Sequence, residues 1–345
     1  MTKTLCAYPW HGMAIRPNGT QLPCCIFQGI PDWSDIRNKQ LRGERLEGCA
    51  LCYNNESHGI KSLRQNSFNR MPTPSTSHAG DLIFLELAFS NLCDTACMHC
   101  SSDFSTRWGN SKVAHNINID SLELSKVKYL KVIGGEPMLE QDKFNECLDR
   151  MNIADLSMQI CTNGRSFPNS RLLKHIEMSK ATLIVVSMDG IEGVNDWFRW
   201  PSKWIQLQEQ FSKYDKLHRE NIFLHFHCCI NVYNIFYLKE TVDYVLTRWP
   251  NWKIEWDWVD QPSWQSISVL PEDIKQQLKI ELLAHSKEYK DLSRLCDVDP
   301  FASSASRLDT VLSTNWQECV RYTKKFAQKR NLDLTALIPK FAKLL

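Results

Sequence analysis

Six short apolar runs, at 81–89, 127–133, 156–162, 181–188, 222–231 and 252–259, alternate with segments of helical length. That alternation predicts βα units carrying a mainly parallel sheet. Only roughly 180 residues separate the first run from the last, whereas a full eight-unit barrel takes about 250, so a partial, six-strand barrel is expected. In such barrels the reacting groups sit at the C-terminal ends of the strands.

Two runs carry a period of two. Leu224, Phe226, Cys228 and Ile230 form an apolar set, while His225, His227, Cys229 and Asn231 occupy the opposite face. Glu255 and Asp257 likewise alternate with Ile254, Trp256 and Trp258. An inner face lined this way offers groups whose pKa values can be tuned, so His227, Cys229 and Asp257 are candidate proton donors or acceptors. His225, the deepest, is expected to be held structurally by a hydrogen bond.

Beyond Pro271 the period becomes helical, with Ile274, Leu278, Leu282 and Leu283 spaced for one buried face, and the last fifty or so residues read as further helices. Asn69 to Gly80, with Pro72, Pro74 and several Ser and Thr, reads as a linker. The expected organisation is therefore a small cysteine-rich module at 1–75, the α/β barrel at 76–260 and a helical extension at 261–345. No internal repeat and no low-complexity tract is present, and no apolar run approaches the roughly eighteen residues needed to cross a membrane.

A formal net charge of +2 draws the chain neither to nucleic acid nor to an anionic membrane. Its 14 cysteines in 345 residues are too sparse for a disulfide scaffold. The start, Met1-Thr2-Lys3-Thr4-Leu5, has no apolar signal core, so a reducing, cytoplasmic setting is expected. Of twelve tryptophans, most are expected in the core; Trp256, Trp258 and Trp264 are candidates for lining a substrate pocket.

Directly after the run Leu82 to Phe89, Cys93, Cys97 and Cys100 form a Cys-x3-Cys-x2-Cys triplet. Three thiolates can hold an iron-sulfur cluster and leave one iron open to an outside ligand, whereas an electron-carrying cluster has its sites filled by protein. A structural zinc site asks for four ligands, commonly two close pairs, and no second pair follows nearby.

With that triplet in place, the chain resembles the radical S-adenosylmethionine (radical SAM) enzymes. The run 127–133 ends in Gly134-Gly135-Glu136-Pro137, similar to the family's GGEP motif, which meets the amino group of S-adenosylmethionine. Glycines there can take positive φ and approach a ligand closely. Later runs end in Thr162-Asn163-Gly164, in Ser187-Met188-Asp189-Gly190 and at Asn231. The resemblance implies cofactor contacts at Gly134, Gly135, Glu136, Pro137, Asn163, Ser187, Arg199 and Asn231. It also implies a four-iron four-sulfur cluster on Cys93, Cys97 and Cys100. At the position before the last cysteine, where the family commonly has an aromatic residue against the adenine, this chain has His99, whose imidazole can stack or hydrogen-bond. The activity implied is reductive cleavage of S-adenosylmethionine to a 5′-deoxyadenosyl radical that takes a hydrogen atom from a substrate, with electrons from a flavodoxin- or ferredoxin-type donor.

Ahead of the barrel stand Cys6, Cys24, Cys49 and Cys52, with Cys25 beside the second. The group resembles the twitch module, the short form of the SPASM domain, which implies a second, auxiliary four-iron four-sulfur cluster. A four-cysteine zinc site is the alternative, and Cys25 is an alternative to Cys24. Twitch and SPASM relatives often modify peptides or proteins, which points to such a substrate, with or without a separate recognition protein. The alternatives are oxidation of a small molecule such as an amino sugar or aminocyclitol, and, in another class, a non-catalytic zinc-binding interaction protein.

Overall fold

In a computed structural model that describes residues 4–57, 59, 61–109, 119–289, 291–310 and 315–345, eight strands form. They are β1 (Gly12–Ile15), β2 (Gln21–Leu22), β3 (Phe84–Ala88), β4 (Tyr129–Ile133), β5 (Ser157–Thr162), β6 (Ala181–Ser187), β7 (Ile222–Ile230) and β8 (Lys253–Trp258). The six expected runs become β3 to β8, each trimmed at one or both ends, and the fold is a mostly parallel α/β arrangement of strands and helices. Met1 to Lys3 and residues 311–314, within the starting and C-terminal spans read above, lie outside the described residues.

The chain divides into two units, the first comprising Met1–Cys93, Ser102–Cys161 and Pro168–Thr182, the second Asp94–Ser101, Thr162–Phe167 and Leu183–Leu345. In the first, β1 pairs antiparallel with β2 and parallel with β3. β3 pairs parallel with β4, and β4 with β5. The N-terminal segment is thus an integral part of this unit's sheet, which the six-run pattern does not foresee. Every residue of β3 is buried. β4 and the first part of β5 instead alternate, with Leu130, Val132, Met158 and Ile160 buried and Lys131 and Gln159 half-buried on the other face. The register sets Glu86, Lys131 and Gln159 side by side across three strands. Helices Gln141–Leu148 and Ser170–Met178 bury Phe144 and Leu148, and Leu172 and Ile176, respectively; Asn169 caps the second by accepting from Leu172 N. The stretch from Asn69 to Gly80 has no regular structure but is tied down, since Trp10 Nε1 donates to Thr76 O at 2.6 Å and Arg37 Nε to Ser77 O at 2.8 Å.

In the second unit β7 is the longest strand and shows the expected alternation: Leu224, Phe226, Cys228 and Ile230 are buried, while His225, His227 and Cys229 are half-buried opposite them. The apolar face packs into an aromatic cluster in which Phe226 stacks on Trp252 at 4.3 Å, with Phe211 and Trp249 against it. Each such side chain contributes roughly 2–3 kcal/mol by leaving water, which fixes which face of β7 looks inward. β7 pairs parallel with β8.

The helix Glu272–Glu288 buries Leu278 and Leu282 as expected, but Leu283 is exposed and Ile274 half-buried. At 100° per residue Leu283 lies past the edge of the seam. Trp256 and Trp264 are buried, the latter stacked on Tyr322 at 5.0 Å, and half-buried Trp258 donates to Ser304 Oγ at 3.0 Å. Among the described residues no helix is long and apolar enough to cross a membrane.

Candidate active site

At the C-terminal end of β4, Gly134 has φ +114°, a conformation that glycine adopts without strain. A Cβ on Gly135 would stand 2.2 Å from Leu92 O, and one on Gly134 2.8 Å from Ala88 Cβ. The two glycines therefore let this turn lie directly on the segment that leads from β3 to Cys93. Gly135 N donates to Ser90 O at 3.0 Å and Glu136 N to Leu92 O at 2.7 Å, so the two loops are joined by backbone bonds. Glu136 is buried, and its Oε1 accepts from Met138 N at 3.0 Å across buried Pro137. Cys93 is buried, its N–H donating to Thr106 Oγ1 at 3.4 Å.

The rest of the triplet belongs to the second unit. Cys97 is buried and Cys100 half-buried. Asp94, the residue after Cys93, is gripped by Asn163 Nδ2 at 2.7 Å and Arg165 Nε at 2.8 Å, while Asn163 Oδ1 accepts from Arg165 N at 2.9 Å. His99 stacks on Phe198 with centroids 5.0 Å apart and planes 19° from parallel. Burial, against the pull of Asp189, lowers its pKa to about 4, so the ring is a neutral, flat surface. Its buried Nδ1 has no hydrogen-bond partner among the described residues, which leaves a polar position for an outside group.

Ser187 closes β6 and is half-buried. Arg199 and Asp189, both buried, pair at 2.7 Å. Burial by itself would lower the arginine's pKa, but Asp189 and then the thiols of Cys97, Cys229 and Cys228 hold it above its ordinary value. Asn231 is fully buried and its amide is taken up locally: Nδ2 donates to Cys229 O at 2.7 Å, and Oδ1 accepts from Tyr233 N at 2.9 Å and Asn234 N at 3.3 Å. It shapes the turn after β7.

On the half-buried face of β7 the charged residues of β8 pair one step along the diagonal. His225 Nδ1 meets Glu255 at 2.8 Å, and His227 Nε2 meets Asp257 at 2.9 Å. Cys229 Sγ stands 3.9 Å from His227 Nδ1. Burial opposes the charged imidazole, yet the hydrogen bonds to Asp257 and Cys229 outweigh it and raise the His227 pKa to about 10. The arrangement keeps a proton on His227 at neutral pH, next to a thiol.

In the first unit, Cys6, Cys24, Cys49 and Cys52 line one cavity of about 20 Å³, bounded by Tyr8, Leu63 and Arg64. Burial, then the charge of neighbouring thiols, pushes Cys6 up to about 12 and Cys49 to about 11, and holds Cys24 above its ordinary value. Cys6 is fixed by Gln40 Oε1, which accepts its N–H at 2.9 Å, and Arg64 braces the wall by donating to Leu5 O at 2.7 Å. Arg64 is itself held by Glu56 at 2.5 Å. Among the described residues no three His, Cys, Asp or Glu side chains converge closely enough to hold a single metal ion. Cys25 does not line that cavity. Its thiol hydrogen-bonds to Glu86, and burial followed by the Glu86 charge raises its pKa to about 11.

Glu86 on β3 and Lys131 on β4, paired at 3.2 Å, are polar groups that the periodicity did not single out. The signal for both is a charge in the middle of an apolar run, repeated in the next run at the same register.

No family model and no curated protein matches the chain. Among solved structures, native anSMEcpe with bound AdoMet is 18% identical, with a TM-score of 0.43 over 59% of this chain and 61% of that one. SuiB of Streptococcus suis, bound to its precursor peptide SuiA, is 10% identical, with a TM-score of 0.39 over 81% and 67%. Methylornithine synthase (PylB) is 13% identical, with a TM-score of 0.39 over 85% and 92%. The chain thus spans about three fifths of the anSMEcpe chain.

Proposed function

We propose that the chain is a radical SAM enzyme. The observation that carries the reading is the turn Gly134-Gly135-Glu136-Pro137 lying on the segment into Cys93, with bonds of 3.0 and 2.7 Å that require both glycines. Cys93, Cys97 and Cys100 would hold a four-iron four-sulfur cluster, and the turn would offer backbone and Glu136 to the amino group of S-adenosylmethionine. Bound together, the reduced cluster and S-adenosylmethionine supply a carbon radical able to remove a hydrogen atom from an unactivated substrate position. Asn163 and Ser187, at strand ends, are proposed to position the cofactor, with Arg199 and Asn231 shaping the surroundings, and the neutral His99 ring to meet the adenine through its face and Nδ1.

The thiols of Cys6, Cys24, Cys49 and Cys52 are proposed to hold the auxiliary cluster; with all four engaged it has no open iron, which favours electron transfer. His227 Nε2 shares its proton with Asp257 while Nδ1 faces Cys229 at 3.9 Å. This trio is proposed to hold or deliver the proton at the substrate. The substrate proposed is a peptide or protein, and the electron donor a flavodoxin or ferredoxin in the cytoplasm. Residues 1–75, 76–260 and 261–345 are proposed as cluster module, barrel and helical extension.

The decisive experiment replaces Cys93, Cys97 and Cys100 together by Ala in anaerobically purified protein. Loss of about four irons and of all 5′-deoxyadenosine formation, with the other iron retained, is expected. Unchanged turnover, or zinc in place of iron in the unaltered protein, sinks the assignment.

A further inference from the structure

We infer that Arg199 tunes the electron affinity of the site by donating to the Cys97 sulfur from a position that Asp189 fixes. This rests on the reading that Cys97 is a cluster ligand. Arg199 is 5% exposed and Asp189 wholly buried. Arg199 Nε faces Asp189 Oδ2 at 2.7 Å, and Nη1 of the same guanidinium reaches Cys97 Sγ at 3.7 Å. The fork is planar and rigid, so fixing one edge on a carboxylate aims the other. Asp189 is in turn anchored, because its Oδ1 accepts from Cys229 N at 2.8 Å.

The backbone on either side sets the same pairing. Ala96 N donates to Trp200 O at 2.7 Å and Met98 N to Phe198 O at 3.0 Å, so the neighbours of Cys97 are bonded to the neighbours of Arg199. Gln265 Nε2 and Arg330 Nη2 then take the carbonyls of Met98 and Ala96, each at 2.7 Å. Cys97 is therefore held from both sides.

A guanidinium N–H on a cluster sulfur stabilises the more negative, reduced state, and hydrogen bonds to the sulfurs are among the factors that set such potentials. Burial keeps water from screening the contact. Asp189, already paired, acts as the positioning residue. Arg199 is thus given a task at the sulfur in place of the cofactor contact that the resemblance implies.

The test is a potentiometric titration, followed by electron paramagnetic resonance, in protein also carrying Cys49→Ala and Cys52→Ala so that one cluster contributes. For Arg199→Gln with iron retained, the equilibrium constant for reduction is expected to fall at least tenfold, about 59 mV for a one-electron couple. Arg199→Lys, which keeps the charge but not the fork, should recover part of that shift. An unchanged midpoint in Arg199→Gln overturns the inference. Should that variant fail to take up iron, protein with Arg199 intact, grown on guanidino-15N arginine and carrying Arg330→Lys, decides the matter. A 15N coupling to the reduced cluster is expected there, and its absence overturns the inference. Loss of the functional reading itself would look different, since no cluster dependent on Cys93, Cys97 and Cys100 would be seen at all.

Discussion

Cys93, Cys97 and Cys100 come from one short loop, whereas Cys6, Cys24, Cys49 and Cys52 are gathered from distant points of the chain and share a cavity only because the first unit has folded. The loop brings its three thiols together by contiguous spacing, although groups remote in sequence also brace it, among them in the second unit Arg199 and the carbonyls of Phe198 and Trp200. In the N-terminal group the thiols themselves are dispersed, and their walls are set by Gln40 on the Cys6 N–H and Arg64 on Leu5 O. A local motif should tolerate damage elsewhere in the protein, while a dispersed one should register any loss of packing around it.

The largest effect that would sharpen this contrast is complete. Cys49→Ala with Cys52→Ala is expected to abolish the N-terminal iron, while cleavage of S-adenosylmethionine continues without product, as iron analysis and product chromatography will show. If cleavage stops as well, the two groups are not separable.

Next in size is Arg64→Ala, which takes away the partner of half-buried Glu56, held at 2.5 Å, and the brace on Leu5 O. A destabilisation of about 1–3 kcal/mol is expected in denaturant titrations, with loss of iron from the N-terminal group and retention at the loop. Equal losses from both sites would break the comparison. Gly135→Ala is the mirror experiment. Its Cβ would meet Leu92 O at 2.2 Å, so a cost of about 1–3 kcal/mol and iron loss confined to the loop are expected.

The sequence carried most of the loop and little of its surroundings. Contiguous spacing made the triplet and the double-glycine turn readable, and a period of two was enough to set His227, Cys229, Glu255 and Asp257 apart from the core face, because burial of Phe226 and its neighbours leaves β7 one choice of register. β1 escaped notice because four residues are too few to show a period, and its partner β3 lies far along the chain. Asp189 stood inside a motif already marked, yet its partnership with Arg199 is a product of folding. Leu283 erred the other way, since apolar character promised a burial that the helix phase does not allow.

The smallest effect concerns the pair His227 and Asp257. Asp257→Asn should bring the His227 pKa down from about 10 toward its ordinary value, followed by NMR titration of the ring. The folded pKa is the raised one, so the stabilisation is whole below about 6.5, the pKa of a free imidazole, and fades as pH climbs through about 10. Because Asp257 is largely exposed, solvent screening keeps the stability change small. A ring pKa that does not move would assign the shift to Cys229 instead.

The parallel pairing of Gly12–Ile15 with Phe84–Ala88 bears on any attempt to trim the protein to a minimal catalytic core. A shortened chain starting at the linker would leave β3 with a bare row of amide and carbonyl groups beside five wholly apolar-facing or buried residues, an invitation to sticky edge-to-edge association. Insolubility of such a fragment would then report a missing neighbour strand, and would say nothing against the chemistry assigned to the remaining residues.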